Sequence, residues 1–181
     1  MRLAAAAIAL IAVAALNPAA HAKSKGPAPV RVHLTTSTGD DAGYVLFTQQ
    51  KKGLHINVEL KNLPVGDHAV HVHQVPKCDA PDFKTAGGHF NPDGKKHGMN
   101  NPAGHHNGDL PQNITVGPDH TGHASFTVNY LSLDPMAANS IVANGGTSVI
   151  VHEKPDDMMT DPTGNAGNRI ACGVVIGTPA P

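Results

Sequence analysis

The chain has no tryptophan, and its other aromatic residues are only two tyrosines and four phenylalanines. A folded core must therefore come mainly from Val, Ile, Leu and Ala, and the β-branched residues among them favour strands. No segment beyond residue 22 has a sustained helical period, which argues against a helical bundle. An excess of charge is absent too, since the net charge is −1. The sequence thus lacks the basic surface that is typical of nucleic-acid-binding domains.

Histidine, in contrast, is unusually abundant. The 13 histidines equal the lysines and arginines taken together. Imidazole is the commonest metal ligand in proteins, and it titrates close to neutral pH. Histidines scattered over a polar surface would need no special explanation, so their spacing decides whether they bind metal or merely face solvent.

Residues 1–22 have the pattern of a secretory signal peptide. Arg2 gives a positive start, residues 3–16 are apolar, and Ala20-His21-Ala22 matches the small-residue cleavage signal. The alternative is an uncleaved anchor, but the apolar run is shorter than the roughly 20 residues that span a bilayer. We therefore expect one mature domain over residues 23–181, periplasmic or secreted, with no membrane span after cleavage.

The only two cysteines, Cys78 and Cys172, both lie in the expected mature domain. An even pair in an exported protein most often forms a disulfide. The alternative, two cysteine ligands of a metal ion, has less support because the chain contains no C-x-x-C pair. A disulfide closing so long a loop would contribute roughly 4–5 kcal/mol before strain is subtracted.

The expected mature domain consists of short apolar or alternating segments separated by turns. Residues 76–111 and 153–168 interrupt this pattern and are rich in Gly, Pro and Asn. A connection of such length without secondary structure usually carries function. We predict an all-β fold of about eight short strands with two long functional loops. The predicted strands are residues 30–34, 43–50, 53–60, 69–75, 114–116, 124–130, 147–152 and 169–176.

His71 and His73 flank a valine in the predicted strand that enters the first long loop. Because side chains alternate across a strand, both imidazoles point to one face and can bind the same ion. An isolated H-x-H is more often part of a polar outer face, so further ligands are needed to support this site. His152 ends another predicted strand and could supply one of them. Together with a fourth imidazole, these three would form a site that suits Cu(II).

The first long loop contains a second set of ligands. His89, His97, His106 and Asp109 offer three imidazoles and a carboxylate, which suit a tetrahedral zinc ion. We expect only one of the neighbours His105 and His106 to face the ion, and the spacing to Asp109 favours His106. Zinc would also supply folding energy that this loop lacks in apolar contacts.

Several segments carry these motifs in a fixed order along the chain. They are His71-Val72-His73, Gly88-His89-Phe90-Asn91-Pro92, His97, His106-Asn107-Gly108-Asp109, Val151-His152-Glu153-Lys154 and the run Gly-Asn-Ala-Gly-Asn-Arg-Ile-Ala-Cys-Gly-Val at residues 164–174. Together they resemble the signatures of the copper–zinc superoxide dismutase family. Each segment alone is modest evidence, whereas their joint presence at the family's spacing makes coincidence negligible.

The resemblance implies a Greek-key barrel and the dismutation of superoxide to dioxygen and hydrogen peroxide by a Cu(II)/Cu(I) cycle. It implies an antioxidant role outside the cytoplasm, with His89 as a bridging ring shared by the two ions. The implied copper ligands are His71, His73, His89 and His152, and the implied zinc ligands are His89, His97, His106 and Asp109.

Other positions follow the family pattern as well. The resemblance implies that Asp156 links a copper ligand to a zinc ligand, and that Cys78 and Cys172 form a disulfide within the subunit. It implies further that Arg169 attracts superoxide beside the copper channel and that Thr163 lies on the opposite wall. The sequence leaves both a monomer and a homodimer open and assigns no dimer face, because bacterial and eukaryotic members pair through different surfaces.

Two other functions fit parts of the pattern. A copper carrier that kept the fold would usually lack a copper ligand or the channel arginine, and neither is missing here. A structural β module with a zinc-stabilised loop would give His71, His73 and His152 no reason to converge. A measurement of superoxide dismutation separates these alternatives.

Overall fold

The computed structural model describes residues 26–176. The predicted signal peptide, residues 1–22, lies outside the described residues, as do residues 23–25 and 177–181. The described chain contains nine strands and two short 3₁₀ helices, Lys84–Ala86 and Ala143–Gly145. The strands are β1 (Val30–Thr36), β2 (Asp41–Gln50), β3 (Gly53–Lys61), β4 (Gly66–His68), β5 (Val70–His73), β6 (Ile114–Val116), β7 (Thr121–Val128), β8 (Thr147–His152) and β9 (Arg169–Val175).

The strands form one antiparallel sheet in the order β4-β6-β7-β3-β2-β1-β9-β8-β5. Its two ends, β4 and β5, are consecutive in the chain and separated only by Ala69, so the sheet curls into a nearly closed barrel. The Ala69 amide donates to the Lys154 carbonyl at 2.9 Å, and the Ala69 carbonyl accepts from the His152 amide at 2.8 Å. Two strands, β6 and β7, lie between the consecutive strands β3 and β4, as in a Greek key.

This architecture confirms the predicted all-β fold and differs from it in strand number. The additional strand is β4, which pairs with β6 through His68 and Ile114 among other partners. Strand β4 has the sequence Gly-Asp-His and contains no apolar residue, so the hydrophobic pattern predicts no separate strand there.

Alternating burial explains how the strands build the core. In β3, Leu54, Ile56, Val58 and Leu60 are buried, whereas the residues between them are partly exposed. Burial of one face in this way is typical of an antiparallel strand with solvent on its other side. The barrel interior is therefore filled mainly by aliphatic side chains, in agreement with the scarcity of aromatic residues.

Strand β5 departs from this alternation, because all four of its residues are buried. Val70 and Val72 belong to the core cluster. His71 and His73 point to the other face of the strand, where the two long loops cover them and exclude water. The outer face of β5 is thus the floor of the functional site.

Close backbone contacts hold the first long loop against β5. The Val72 amide donates to the Gly108 carbonyl at 2.9 Å, and the Val72 carbonyl accepts from the Phe90 amide at 2.8 Å. A Cβ atom on Gly108 would overlap the Val72 carbonyl, so only glycine allows this approach. The predicted disulfide between Cys78 and Cys172 is formed and ties the same loop to β9. No helix of residues 26–176 is long and apolar enough to cross a membrane.

Candidate metal centre

Four imidazoles converge above the floor of β5. His71 and His73 come from β5, His152 ends the neighbouring strand β8, and His89 comes from the first long loop. One nitrogen of each ring lies within 4.8 Å of the corresponding nitrogens of the other three. The structure therefore brings together all four residues that the sequence predicted as one group, which we call the four-histidine group.

The nitrogens that face each other in this group have no hydrogen-bond partner. His71 Nδ1, His73 Nε2, His89 Nε2 and His152 Nε2 are all buried without one. A buried polar atom left unpaired costs roughly 1–3 kcal/mol, so four at one point call for an explanation. A metal ion bound by the four lone pairs provides it, and an all-imidazole donor set suits copper.

The opposite nitrogens of these rings are engaged, which fixes their tautomers. His73 Nδ1 lies 2.9 Å from the Gly87 carbonyl, and His152 Nδ1 lies 3.4 Å from the Gly167 carbonyl. A carbonyl can only accept, so each of these nitrogens carries the proton. The inner Nε2 atoms are then left with free lone pairs, the form in which imidazole binds a metal.

A second group lies on the other side of His89. The Asp109 Oδ1 atom is 2.8 Å from His89 Nδ1, 3.0 Å from His97 Nδ1 and 3.4 Å from His106 Nδ1. The set His89, His97, His106 and Asp109 is buried, and its ligand atoms lie within 4.8 Å of one another. Three nitrogens and one carboxylate oxygen form a donor set that zinc prefers. We call these residues the zinc-type group.

His89 belongs to both groups through different atoms, Nε2 in the four-histidine group and Nδ1 in the zinc-type group. Burial, together with the neighbouring His71, lowers the pKa of His89 to about 3. For Asp109, burial alone would raise the pKa, but hydrogen bonds from His106, His89 and His97 hold it well below its usual range. The arrangement thus keeps a neutral imidazole beside a charged carboxylate, as cation binding requires.

Asp156 contacts one histidine of each group, through the ring nitrogen that faces away from the other ligands. Its Oδ2 atom accepts from His71 Nε2 at 2.8 Å, and its Oδ1 atom lies 3.0 Å from His97 Nε2. Asp156 with His71 and His97 could itself be taken for a metal group. Both ring nitrogens are already paired with the carboxylate, so Asp156 connects one histidine of each group by hydrogen bonds.

The four-histidine group opens to solvent through a cavity of about 500 Å³. His73, His89 and His152 line it, together with Thr163 and Arg169, the two residues predicted to flank a channel. The guanidinium of Arg169 donates to the carbonyls of Phe83 and Gly87, both at 2.7 Å. A half-buried, fixed cation therefore stands at the entrance to the imidazoles.

His105 lies outside both groups, as the choice of His106 over His105 requires. Its Nδ1 atom lies 2.7 Å from the His106 carbonyl, and its ring packs against Tyr130 with centroids 4.4 Å apart.

Several supporting residues were missed by sequence reasoning. Gly87 contributes only a carbonyl, which no sequence motif reveals. Asn113 exchanges hydrogen bonds with the main chain of Asp156, at 2.8 Å to the amide and 3.0 Å to the carbonyl. Asp161 accepts from the His97 amide at 2.8 Å. For Asp161 the only signal was a carboxylate in the second long loop.

Comparison with known proteins places these groups in a family context. A family model described as copper/zinc superoxide dismutase matches residues 41–175. A relative from Aquifex aeolicus, superoxide dismutase [Cu-Zn] 1, is 43% identical over 145 residues, which cover 78% of this chain and 84% of the relative. The superoxide dismutase [Cu-Zn] of Caulobacter vibrioides is 40% identical over 139 residues, covering 76% and 79%.

Solved structures give the same picture at the level of the fold. The crystal structure of a superoxide-dismutase-like protein from Bacillus subtilis superposes with a TM-score of 0.76 at 37% identity. The superposition covers 81% of this chain and 97% of that one. The likeness therefore extends over most of this chain and nearly all of the other.

Proposed function

This chain belongs to the copper/zinc superoxide dismutase family, and from that premise we propose how its own residues carry out the dismutation of superoxide. Copper is assigned to the four-histidine group, His71, His73, His89 and His152. Zinc is assigned to the zinc-type group, His89, His97, His106 and Asp109. The observation that carries the proposal is the convergence of four buried, unpartnered imidazole nitrogens within 4.8 Å at the end of an open cavity.

When bound, copper supplies a one-electron couple that oxidises one superoxide to dioxygen and reduces a second, while closed-shell zinc contributes charge without changing oxidation state. Two superoxide anions and two protons thereby give one dioxygen and one hydrogen peroxide. The chain must therefore attract an anion, keep it close to the imidazoles and deliver protons.

Arg169 performs the first of these tasks. Its guanidinium lines the cavity, and its hydrogen bonds to Phe83 and Gly87 fix it in place. A fixed cation in a cleft raises the local concentration of a small anion and can hydrogen-bond it. Thr163 lines the same cavity and limits its width, so it contributes to the selection of a small substrate.

His89 is suited to the delivery of a proton. Its Nε2 atom faces the four-histidine group, while its Nδ1 atom remains with Asp109. A proton held at Nε2 can pass to a superoxide in the cavity as that superoxide becomes hydrogen peroxide.

The test is the rate of superoxide decay with the full chain loaded with copper and zinc. We expect fast decay with the loaded protein, none above background with the metal-free protein, and a loss of activity in His152→Ala. His105→Ala is the matched control, because His105 lies outside both groups. A rate no higher than that of an unrelated copper-binding protein would instead support a copper carrier.

The location and assembly of the chain form the second part of the proposal. The disulfide between Cys78 and Cys172 supports an oxidising compartment, periplasmic or extracellular, where the enzyme would act as an antioxidant defence. The mass of the exported protein tests cleavage after Ala22, and its mass in solution distinguishes a monomer from a homodimer.

A further inference from the structure

A carboxylate in the second long loop contacts the zinc-type group from outside. Asp161 accepts from the His97 amide at 2.8 Å through Oδ1 and from the Lys96 ammonium at 3.1 Å through Oδ2. The carboxylate is thus ion-paired with Lys96 and connects the two long loops.

The ring of His106 is oriented with respect to this carboxylate. Its Nδ1 atom lies 3.3 Å from His89 Nδ1 and 3.4 Å from Asp109 Oδ1, so Nδ1 faces the other zinc-type ligands. Its Nε2 atom points away from them and lies 3.9 Å from Asp161 Oδ1. That distance is longer than a hydrogen bond but short enough for a charge to act on the ring.

His97 is the other zinc-type ligand with an outward-facing ring nitrogen, and it too has a carboxylate beside that nitrogen. His97 Nε2 lies 3.0 Å from Asp156. A carboxylate beside the outer nitrogen keeps the proton there, leaves the lone pair on the inner nitrogen and makes the imidazole a stronger ligand. Asp161 lies beside the outer nitrogen of His106 as Asp156 lies beside that of His97, but at 3.9 Å and thus through its charge rather than through a hydrogen bond.

We propose that Asp161 is a positioning residue for zinc, which fixes the main chain of His97 and directs the lone pair of His106 Nδ1 toward the ion. This inference rests on the zinc assignment made above. Lys96 occupies the second carboxylate oxygen and leaves Oδ1 facing the two histidines. The role requires a negative charge at Asp161, whereas a merely structural role in the loop would require only an acceptor.

The chain offers a matched control in Asp157. Its side chain accepts from the amides of Met159 and Thr160, at 2.9 and 2.8 Å, and from Asn165 at 2.8 Å. Among the contacts of residues 26–176, none joins Asp157 to a histidine of the four-histidine group or of the zinc-type group. A substitution there loosens the same loop without changing the charge beside His106.

The experiment compares full-length copper-loaded variants by two measurements, the release of zinc to a chelator and the visible spectrum of Co(II) in the zinc site. Asp161→Asn keeps an acceptor for the His97 amide, and we expect zinc release to rise about tenfold and the Co(II) bands to shift. Asp161→Glu restores the charge and should release zinc more slowly than Asp161→Asn. Asp157→Asn should match the wild type.

Two results would overturn the inference alone: Asp161→Asn indistinguishable from the wild type, or Asp157→Asn equal to Asp161→Asn in both measurements. A wild-type chain that takes up neither zinc nor Co(II) would overturn the zinc assignment itself. The two failures are thus distinguished by the behaviour of the wild type.

Discussion

The guanidinium of Arg169 and the ring of His73 share one acceptor, the carbonyl oxygen of Gly87, at 2.7 and 2.9 Å. The same loop segment therefore positions both the cation at the cavity entrance and an imidazole of the four-histidine group. The second hydrogen bond of Arg169, to the Phe83 carbonyl, removes its remaining freedom. The distance between the guanidinium and the imidazoles is thus set by the protein scaffold.

Replacing Arg169 tests its role in attracting superoxide. We expect Arg169→Ala to lower the rate of superoxide decay at least about tenfold at low ionic strength, because the cavity loses its fixed cation. The ionic-strength dependence of the rate should weaken as well. Copper and zinc content should remain at the wild-type level, measured by elemental analysis.

Arg169→Lys is the control for charge without the planar fork of donors. It keeps the cation but cannot donate to Phe83 and Gly87 in the same geometry, so we expect an intermediate rate. A loss of copper from Arg169→Ala equal to its loss of activity would contradict the assigned role and make Arg169 a support for His73.

Asp156→Asn tests the link between the two metal groups. An amide oxygen can accept from only one of the ring nitrogens, while its NH₂ opposes the N–H of the other. We expect zinc affinity to fall about 10–100-fold, since His97 loses its outer carboxylate. Copper should be retained better, because Gly87 and Gly167 still orient His73 and His152. Both metals are measured after dialysis against a chelator.

The control for this substitution is Asp134→Asn, since Asp134 is exposed and its Oδ1 atom accepts from the Met136 amide. It should retain both metals. Equal loss of copper and zinc from Asp156→Asn would contradict the unequal roles assigned here.

The sequence predicts the parts of this site that lie on regular structure. Alternation along a strand placed His71 and His73 on one face, and a loop without apolar periodicity indicated where ligands would collect. The contacts that orient these ligands could not be derived from spacing: the Asp156 link followed only from the family resemblance, and Asp161 was not predicted. Asp156 and His71 are 85 positions apart, and Asp161 reaches His97 across 64, so only folding brings them together.

Backbone conformation was equally hidden in the sequence. Gly164 has a φ of +62°, and a Cβ atom there would overlap the Asp156 carboxylate and His97 Nε2. A glycine in a loop rich in glycine gives no sign of such a constraint.

Gly164→Ala tests that constraint. The strain of a positive φ should lower the free energy of unfolding by about 1–2 kcal/mol. The added methyl group should also displace Asp156 from His97 and cause zinc loss. Denaturant unfolding and zinc content measure the two effects separately.

Gly94→Ala is the matched control, because Gly94 has a nearly equal φ of +64° with no atom within 4 Å of the added Cβ. It should show the conformational cost without loss of zinc. If both variants keep zinc equally well, the proposed steric coupling between Gly164 and the Asp156 link is wrong.

Zinc binding should depend on pH through His97. In the metal-free chain, burial lowers the pKa of His97, but hydrogen bonds with Asp109 and Asp156 prevail and raise it to about 9. Zinc needs the neutral ring, so it must displace one proton below that pH. We expect zinc affinity to rise about tenfold per pH unit below pH 9 and then level off. His89, with its pKa lowered to about 3, adds no competing proton in this range.

The stability of the metal-free chain should change in the opposite direction. Because the pKa of folded His97 lies above the ordinary value of 6.5, its charged form stabilises the fold fully below pH 6.5. That contribution is lost as pH rises toward 9, the same window in which zinc binds more tightly. Zinc titrations and denaturant unfolding across this window measure both trends. A zinc affinity independent of pH would mean that His97 is already neutral between its two carboxylates.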